Sequence, residues 1–287
     1  MVVVAALVLL VVLFALPKVI IDKETGAALS GATATANRDK AAGEATDEHE
    51  GHLHNSDGSE ASAAHTKASP EALGKLKSLL ADYRKAGDDA NKVKLAEQIA
   101  AQYTAIAKFD SAGYYYEQVA AARPGEKNYQ KAADQYFEAF SFAATEERTK
   151  ELGQKAQGLY NKVLQNNPAN LDAKTNLAMT YIAAGEQPMQ GIQLLREVIT
   201  TNPNNEKALF NLGILSIQSG QYDKAVERFQ HLVEVNPKHV QGNFYLAVSL
   251  AEIGKKEEAR QVFTAAKKLD DNPEYQSSID TELEKLK

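Results

Sequence analysis

Three histidines stand close together in the stretch DEHEGHLH: His49, His52 and His54, interleaved with Asp47, Glu48 and Glu50. Imidazole nitrogens and carboxylates at this spacing could catch a divalent metal ion. A hydrolase of the HExxH type needs its second histidine four residues after the first, and Leu53 stands there instead. The flanking residues are mostly Ala, Gly, Ser, Thr, Asp and Glu, so nothing nearby would hold ligands in a fixed arrangement. The expectation is a solvated polar stretch with no metal and no cofactor.

Other catalytic constellations are missing from the sequence. There is no Gly-rich phosphate loop, no GxSxG and no HExxH, and His231 and His239 are the only histidines after His65. The absence of cysteine excludes disulfides, thiol catalysis and Cys-based zinc sites, and it fits an oxidising or a reducing compartment equally well. A formal net charge of −6 with no basic run argues against nucleic acid, because phosphate binding draws on clustered Lys and Arg. With 44% hydrophobic and 24% charged residues, the 287-residue chain is ordinary for folded protein.

The elements that would carry any function divide into three parts. Residues 1–21 read as a transmembrane anchor: 2–17 are apolar, and Val19, Ile20 and Ile21 extend the run past Lys18, which can snorkel to the headgroups. A cleaved secretory signal is the rival reading, but no small-residue site follows the run closely. A literal count of positive charge keeps Lys18 and Lys23 in the cytoplasm; a short N-terminus of signal-anchor type instead places the following domain outside, which is the orientation expected here. Residues 22–68, an acidic low-complexity linker, hold too few bulky side chains to offset chain entropy and are expected to be disordered. At residues 69–287 order resumes, with Ser69 a good N-cap, Pro70 suited to the first helical position and Glu71 to the first turn.

From there the chain repeats itself. Asn-Pro pairs begin at Asn167, Asn202, Asn236 and Asn272, spaced 35, 34 and 36 residues apart, with Arg123-Pro124 an earlier member. Leu212, Gly213, Gly220, Ala225, Phe229, Leu232 and Pro237 in one unit are answered by Leu246, Ala247, Gly254, Ala259, Phe263 and Ala266 in the next. Small residues allow two helices to cross, Gly220 and Gly254 suit a turn that needs positive φ, and Phe229 and Phe263 fill the space between helices. Leu177, Ala178, Tyr181, Gly185, Gly191 and Leu195 form a third unit, and Ile99, Ala100, Tyr103, Ala107, Phe109, Ala112, Tyr116 and Pro124 a fourth. Pro124 and Pro168 lie 44 residues apart, so the unit containing Ala133, Tyr136, Ala156, Tyr160 and Val163 must have lengthened helices or a lengthened turn.

On these residues the chain resembles the tetratricopeptide repeat family, whose signature of Leu-Gly, Tyr, Ala, Phe and Pro recurs over 34 residues. The resemblance implies an all-α, right-handed solenoid of about five helical hairpins, at roughly 93–126, 127–169, 170–204, 205–238 and 239–272, closed by a capping helix at 273–287. It further implies a concave face, lined by first helices, that binds other proteins. The family's groove positions fall on Thr175, Met179 and Ile182, then Phe210, Ile214 and Ile217, then Phe244, Val248 and Ala251. That face reads apolar, so an apolar peptide or amphipathic helix is the expected ligand. Lys174 precedes Asn176 by only two residues, so the Lys-xxx-Asn clamp with which some relatives hold a C-terminal carboxylate is not expected. Tyr114, Tyr115 and Tyr116 point to three faces about 100° apart; Tyr116 takes the core position, and hairpin packing is the expected use of the other two, exposure to a partner the alternative.

An anchor, a tether and a repeat array together resemble membrane-anchored bacterial envelope proteins. That layout implies a scaffold or assembly factor at the bacterial inner membrane with its repeat domain in the periplasm, and no enzyme. A metal-binding or enzymatic envelope protein using the His-rich linker is the alternative.

Overall fold

The computed structural model describes residues 68–185 and 187–287. The anchor expected at 1–21, nearly all of the linker, and His49, His52 and His54 lie outside the described residues. Among the described residues no helix is long and apolar enough to cross a membrane. Nor is any group of three or more His, Asp or Glu side chains among them placed to hold a metal ion.

The helices are α1 (Pro70–Lys85), α2 (Asp89–Ala105), α3 (Phe109–Ala122), α4 (Glu126–Ser141), α5 (Glu146–Asn166), α6 (Leu171–Ala183), α7 (Pro188–Thr201), α8 (Glu206–Gln218), α9 (Tyr222–Val235), α10 (Val240–Glu252), α11 (Lys256–Ala266) and α12 (Pro273–Lys285). Most connections are three or four residues long, which makes successive helices packed neighbours. Starts and stops are written locally. Ser69, Asp88, Thr145, Asn170 and Asn205 each accept a bond from a backbone N–H of the first turn, and His239 Nδ1 does the same for Gly242.

The Asn-Pro pairs close α5, α7 and α9 in one way. The backbone N–H groups of Asn167, Asn202 and Asn236 make the last helical bond at 2.8 Å, to Val163, Val198 and Leu232. Each Oδ1 then accepts the N–H two residues on at 3.1 Å, from Ala169, Asn204 and Lys238, while the intervening proline offers no N–H to continue the ladder. Asn167 and Asn236 also tie adjacent units together, donating to Glu126 and Glu206 at 2.8 Å.

The turn inside a hairpin is equally repetitive. Gly220 and Gly254 take φ values of 68° and 80°, and the following N–H groups of Gln221 and Lys255 reach back five residues to Ser216 and Leu250 at 2.8 and 2.9 Å. Ala107 takes the same place between α2 and α3 with φ 56°, and the Lys108 N–H bonds to Tyr103 at 2.9 Å. A glycine conformation is thus imposed on an alanine.

Helix crossings depend on small residues. A Cβ added at Gly213 would lie 2.5 Å from the ring of Phe229, which is fully buried, so α8 and α9 meet ring against backbone. The long spacing before Pro168 lies in the helices: α4 has 16 residues and α5 has 21, against 13 and 14 in α8 and α9. At the N-terminal end α1 buries Leu76 against Ile99, Tyr103 and Ala112. At the other end α12 adds Tyr275, Ile279 and Leu286 to a core that includes Phe244 and Phe263. Besides neighbours in sequence, α4 packs on α6 and α8 on α10, so in these two pairs one first helix adjoins the next.

Candidate functional site

The first helices present two chemically different stretches. On α4, Asp134 Oδ1 accepts from Tyr160 Oη at 2.8 Å, Gln130 Nε2 at 2.7 Å and Asn176 Nδ2 at 3.5 Å. Asn176 also donates to Tyr160 Oη at 3.0 Å. Burial pushes the Asp134 carboxyl above the usual range, and these three donors offset part of that. Glu138, one turn further on the same face, is pushed up first by burial and then by the charge of Asp134. The charge of Lys207, on α8, partly stabilises both carboxylates although its ammonium pairs with Asp172 on α6 at 3.2 Å. Side chains from α4, α6 and α8 therefore share one electrostatic space.

The second stretch is apolar. Met179 and Ile182 on α6 are half-buried against a cluster containing Leu195, Val198 and Leu212. Phe210, Ile214, Ile217, Val248 and Ala251 are half-buried on the C-terminal core. Two expected groove residues lie elsewhere. Thr175 is 1% exposed and turns its hydroxyl to the Leu171 carbonyl at 2.8 Å. Phe244 is 3% exposed, packed on Phe263 at 5.6 Å and beside Tyr275 of α12 at 6.2 Å between ring centroids. Neither offers a surface to a ligand: Thr175 is bonded to its own helix, and Phe244 is buried among Tyr245, Phe263 and Tyr275. The equivalent Phe210 meets His239 at 5.5 Å and Tyr245 at 5.9 Å and keeps part of its ring open.

Lys174 is held by Glu197 at 3.7 Å and Asn176 by the Asp134 network, so both are engaged within the array. Of the three consecutive tyrosines, Tyr114 is 42% exposed. Tyr115 packs among Tyr83, Tyr103 and Tyr114, and burial pushes its hydroxyl up to about 12. Tyr116 is half-buried under Lys131, whose Nζ lies 5.4 Å from the ring. The polar floor around Asp134 was not anticipated. Its sequence signals are Tyr160 at the place held by Phe229 and Phe263 elsewhere, and two carboxylates, Asp134 and Glu138, one turn apart.

Compared with known proteins, residues 210–273 match the family described as tetratricopeptide repeat. An uncharacterized protein, y4yS of Sinorhizobium fredii, is 30% identical over 95 residues, 33% of this chain; the match takes in 52% of that protein, so the chain spans about half its length. Among solved structures, a tetratricopeptide repeat protein of Parabacteroides merdae superposes with a TM-score of 0.55 at 18% identity, covering 75% of this chain and 82% of that one. MamA residues 41 to the end, from Desulfovibrio magneticus, superpose with a TM-score of 0.50 at 18% identity, covering 64% and 97%. At such identities the likeness is one of fold. The regular hairpin of Asn-Pro stop, positive-φ turn and Phe-filled crossing in α8–α11 falls within the residues that match the tetratricopeptide repeat family, and the helical array as a whole has the fold of tetratricopeptide repeat structures.

Proposed function

We propose that this protein is a protein–protein interaction scaffold that holds an apolar segment of another protein along its first helices. The observation carrying the proposal is the strip of Met179, Ile182, Phe210, Ile214, Ile217 and Val248, half-buried side chains on three successive first helices, each packed inward on the core and open outward. Rigid, pre-positioned apolar side chains suit recognition, because little freedom remains to be lost on binding. The role requires no catalysis. Residues 1–21 would tether the array to a membrane, by their length and apolarity. The location proposed is the bacterial inner membrane with the array on the periplasmic side, following the signal-anchor logic of a short N-terminus.

A photo-reactive phenylalanine analogue placed at Ile217 tests the groove against the same analogue at Asp223, which is exposed at the start of α9. Irradiation of cells should crosslink a second protein from position 217 and not from 223. Crosslinks from 223 alone would move recognition to the second helices.

A further inference from the structure

We propose that the segment bound in this groove carries a lysine or arginine at one end of its apolar stretch, placed to meet Asp134 and Glu138 of α4 while its apolar side chains lie over Met179, Ile182, Ile214 and Ile217. This deepens the groove reading above and rests on it. Two other carboxylates on the first helices are each matched by a lysine from the next unit: Glu97 by Lys131 at 2.8 Å and Asp172 by Lys207 at 3.2 Å. Asp134 and Glu138 have no such lysine. Asp134 accepts only from neutral donors, Tyr160, Gln130 and Asn176, and Glu138 has no hydrogen bond or ion pair among the described residues. The cation whose charge reaches both, Lys207, is already paired.

The pair also adjoins the apolar strip through α6, which carries Asn176 of the polar floor and, about one and two turns on, Met179 and Ile182. A ligand lying along the strip toward α4 therefore brings its end to the carboxylates. If that end were apolar or acidic, it would strip water from two like charges without replacing it. A basic group replaces the lost hydration with charge-assisted bonds and relieves the repulsion between the two. Burial raises both carboxyls, and the charge of Lys207 offsets only part of that.

A random 15-residue peptide library displayed on phage, selected on the full chain, tests this. Selected sequences should be enriched in Lys or Arg beside a Leu, Ile or Phe stretch. A synthetic peptide from that pool should bind about tenfold tighter than its copy with norleucine in place of the basic residue. In Glu138→Gln, which loses no hydrogen bond, and in Asp134→Asn plus Glu138→Gln, that difference should fall below about twofold. Equal binding of the two peptides to the wild type, or a preference that survives in both variants, would overturn the proposal. Ile217→Glu separates the underlying reading: it should weaken both peptides alike, and if it weakens neither, the groove itself is misassigned.

Discussion

The α4–α5 hairpin and the α8–α9 hairpin solve one packing problem with different chemistry. In α8–α9 the crossing is filled by Phe229, fully buried, its ring against the bare backbone of Gly213. In α4–α5 the same place is held by Tyr160, also fully buried, and its hydroxyl needs partners. Asp134 and Asn176 supply them. A second buried tyrosine there, Tyr136, donates to Glu117 on α3 at 2.9 Å. The apolar solution leaves the first helix free to present Ile214 and Ile217 outward. The polar solution draws a carboxylate inward and leaves another, Glu138, half-buried beside it. One fold thus carries a dry crossing and a hydrogen-bonded one, and the surface chemistry of each first helix follows from what lies beneath it.

The largest expected effect concerns the apolar end. Phe244→Glu should destabilise the array by at least about 3 kcal/mol, because it empties an aromatic site and buries a carboxylate among Phe263, Tyr245 and Tyr275. Thermal denaturation followed by circular dichroism measures it. A variant melting like the wild type would mean Phe244 is an open groove residue after all.

Exchanging the two crossings sharpens the contrast. Phe229→Tyr should cost about 2–4 kcal/mol, since the ring atom nearest the place a Gly213 Cβ would take is the one that would bear the hydroxyl, in a fully buried crossing. Tyr160→Phe should cost about 1–3 kcal/mol by taking a donor from a buried carboxylate. Were either exchange neutral in urea titrations, the two hairpins would not be chemically distinct.

A smaller effect, of opposite sign, is expected at the turn. Ala107→Gly should stabilise by about 0.5 kcal/mol, as glycine relieves the positive φ and returns part of the gain in chain entropy. No change or a loss in melting temperature would show that the α2–α3 turn carries no strain there.

The smallest effect is read from pH. Glu138 has a raised carboxyl, so its contribution to stability is present at acid pH and is lost as pH rises through that raised value. Glu97 is the reverse: its hydrogen bond and ion pair with Lys131 lower it, so its contribution is present at neutral pH and lost as pH falls through the lowered value. Between mildly acidic and neutral pH the wild type should therefore lose ground to Glu138→Gln. Over more acidic pH, Glu97→Gln should close its gap on the wild type. Parallel stability curves across pH for wild type and both variants would remove the electrostatic distinction between α2 and α4.

Much of this was legible in the chain because it is written locally and repeatedly. An Asn-Pro stop, a turn with positive φ and an aromatic at the crossing each act through the few residues around them, and recurrence near 34 residues marks them as one unit. Even the irregular spacing before Pro168 pointed to lengthened helices or turn, and α4 and α5 carry the extra length. What the tertiary structure alone decided is which residues of a first helix stay open. Phe210 and Phe244 hold equivalent places in consecutive repeats, yet one is half-open and the other 3% exposed. Phe210 meets His239 and Tyr245 of the next unit, Phe244 meets Phe263 and Tyr275 of the capping helix 31 residues further along, and no pattern within the repeat encodes which ring ends up covered. Likewise Asp134 reads as a solvated helix residue until Tyr160, 26 residues away, is folded against it. Periodicity tells which face of a helix a residue occupies, whereas burial depends on the neighbour that arrives to cover that face.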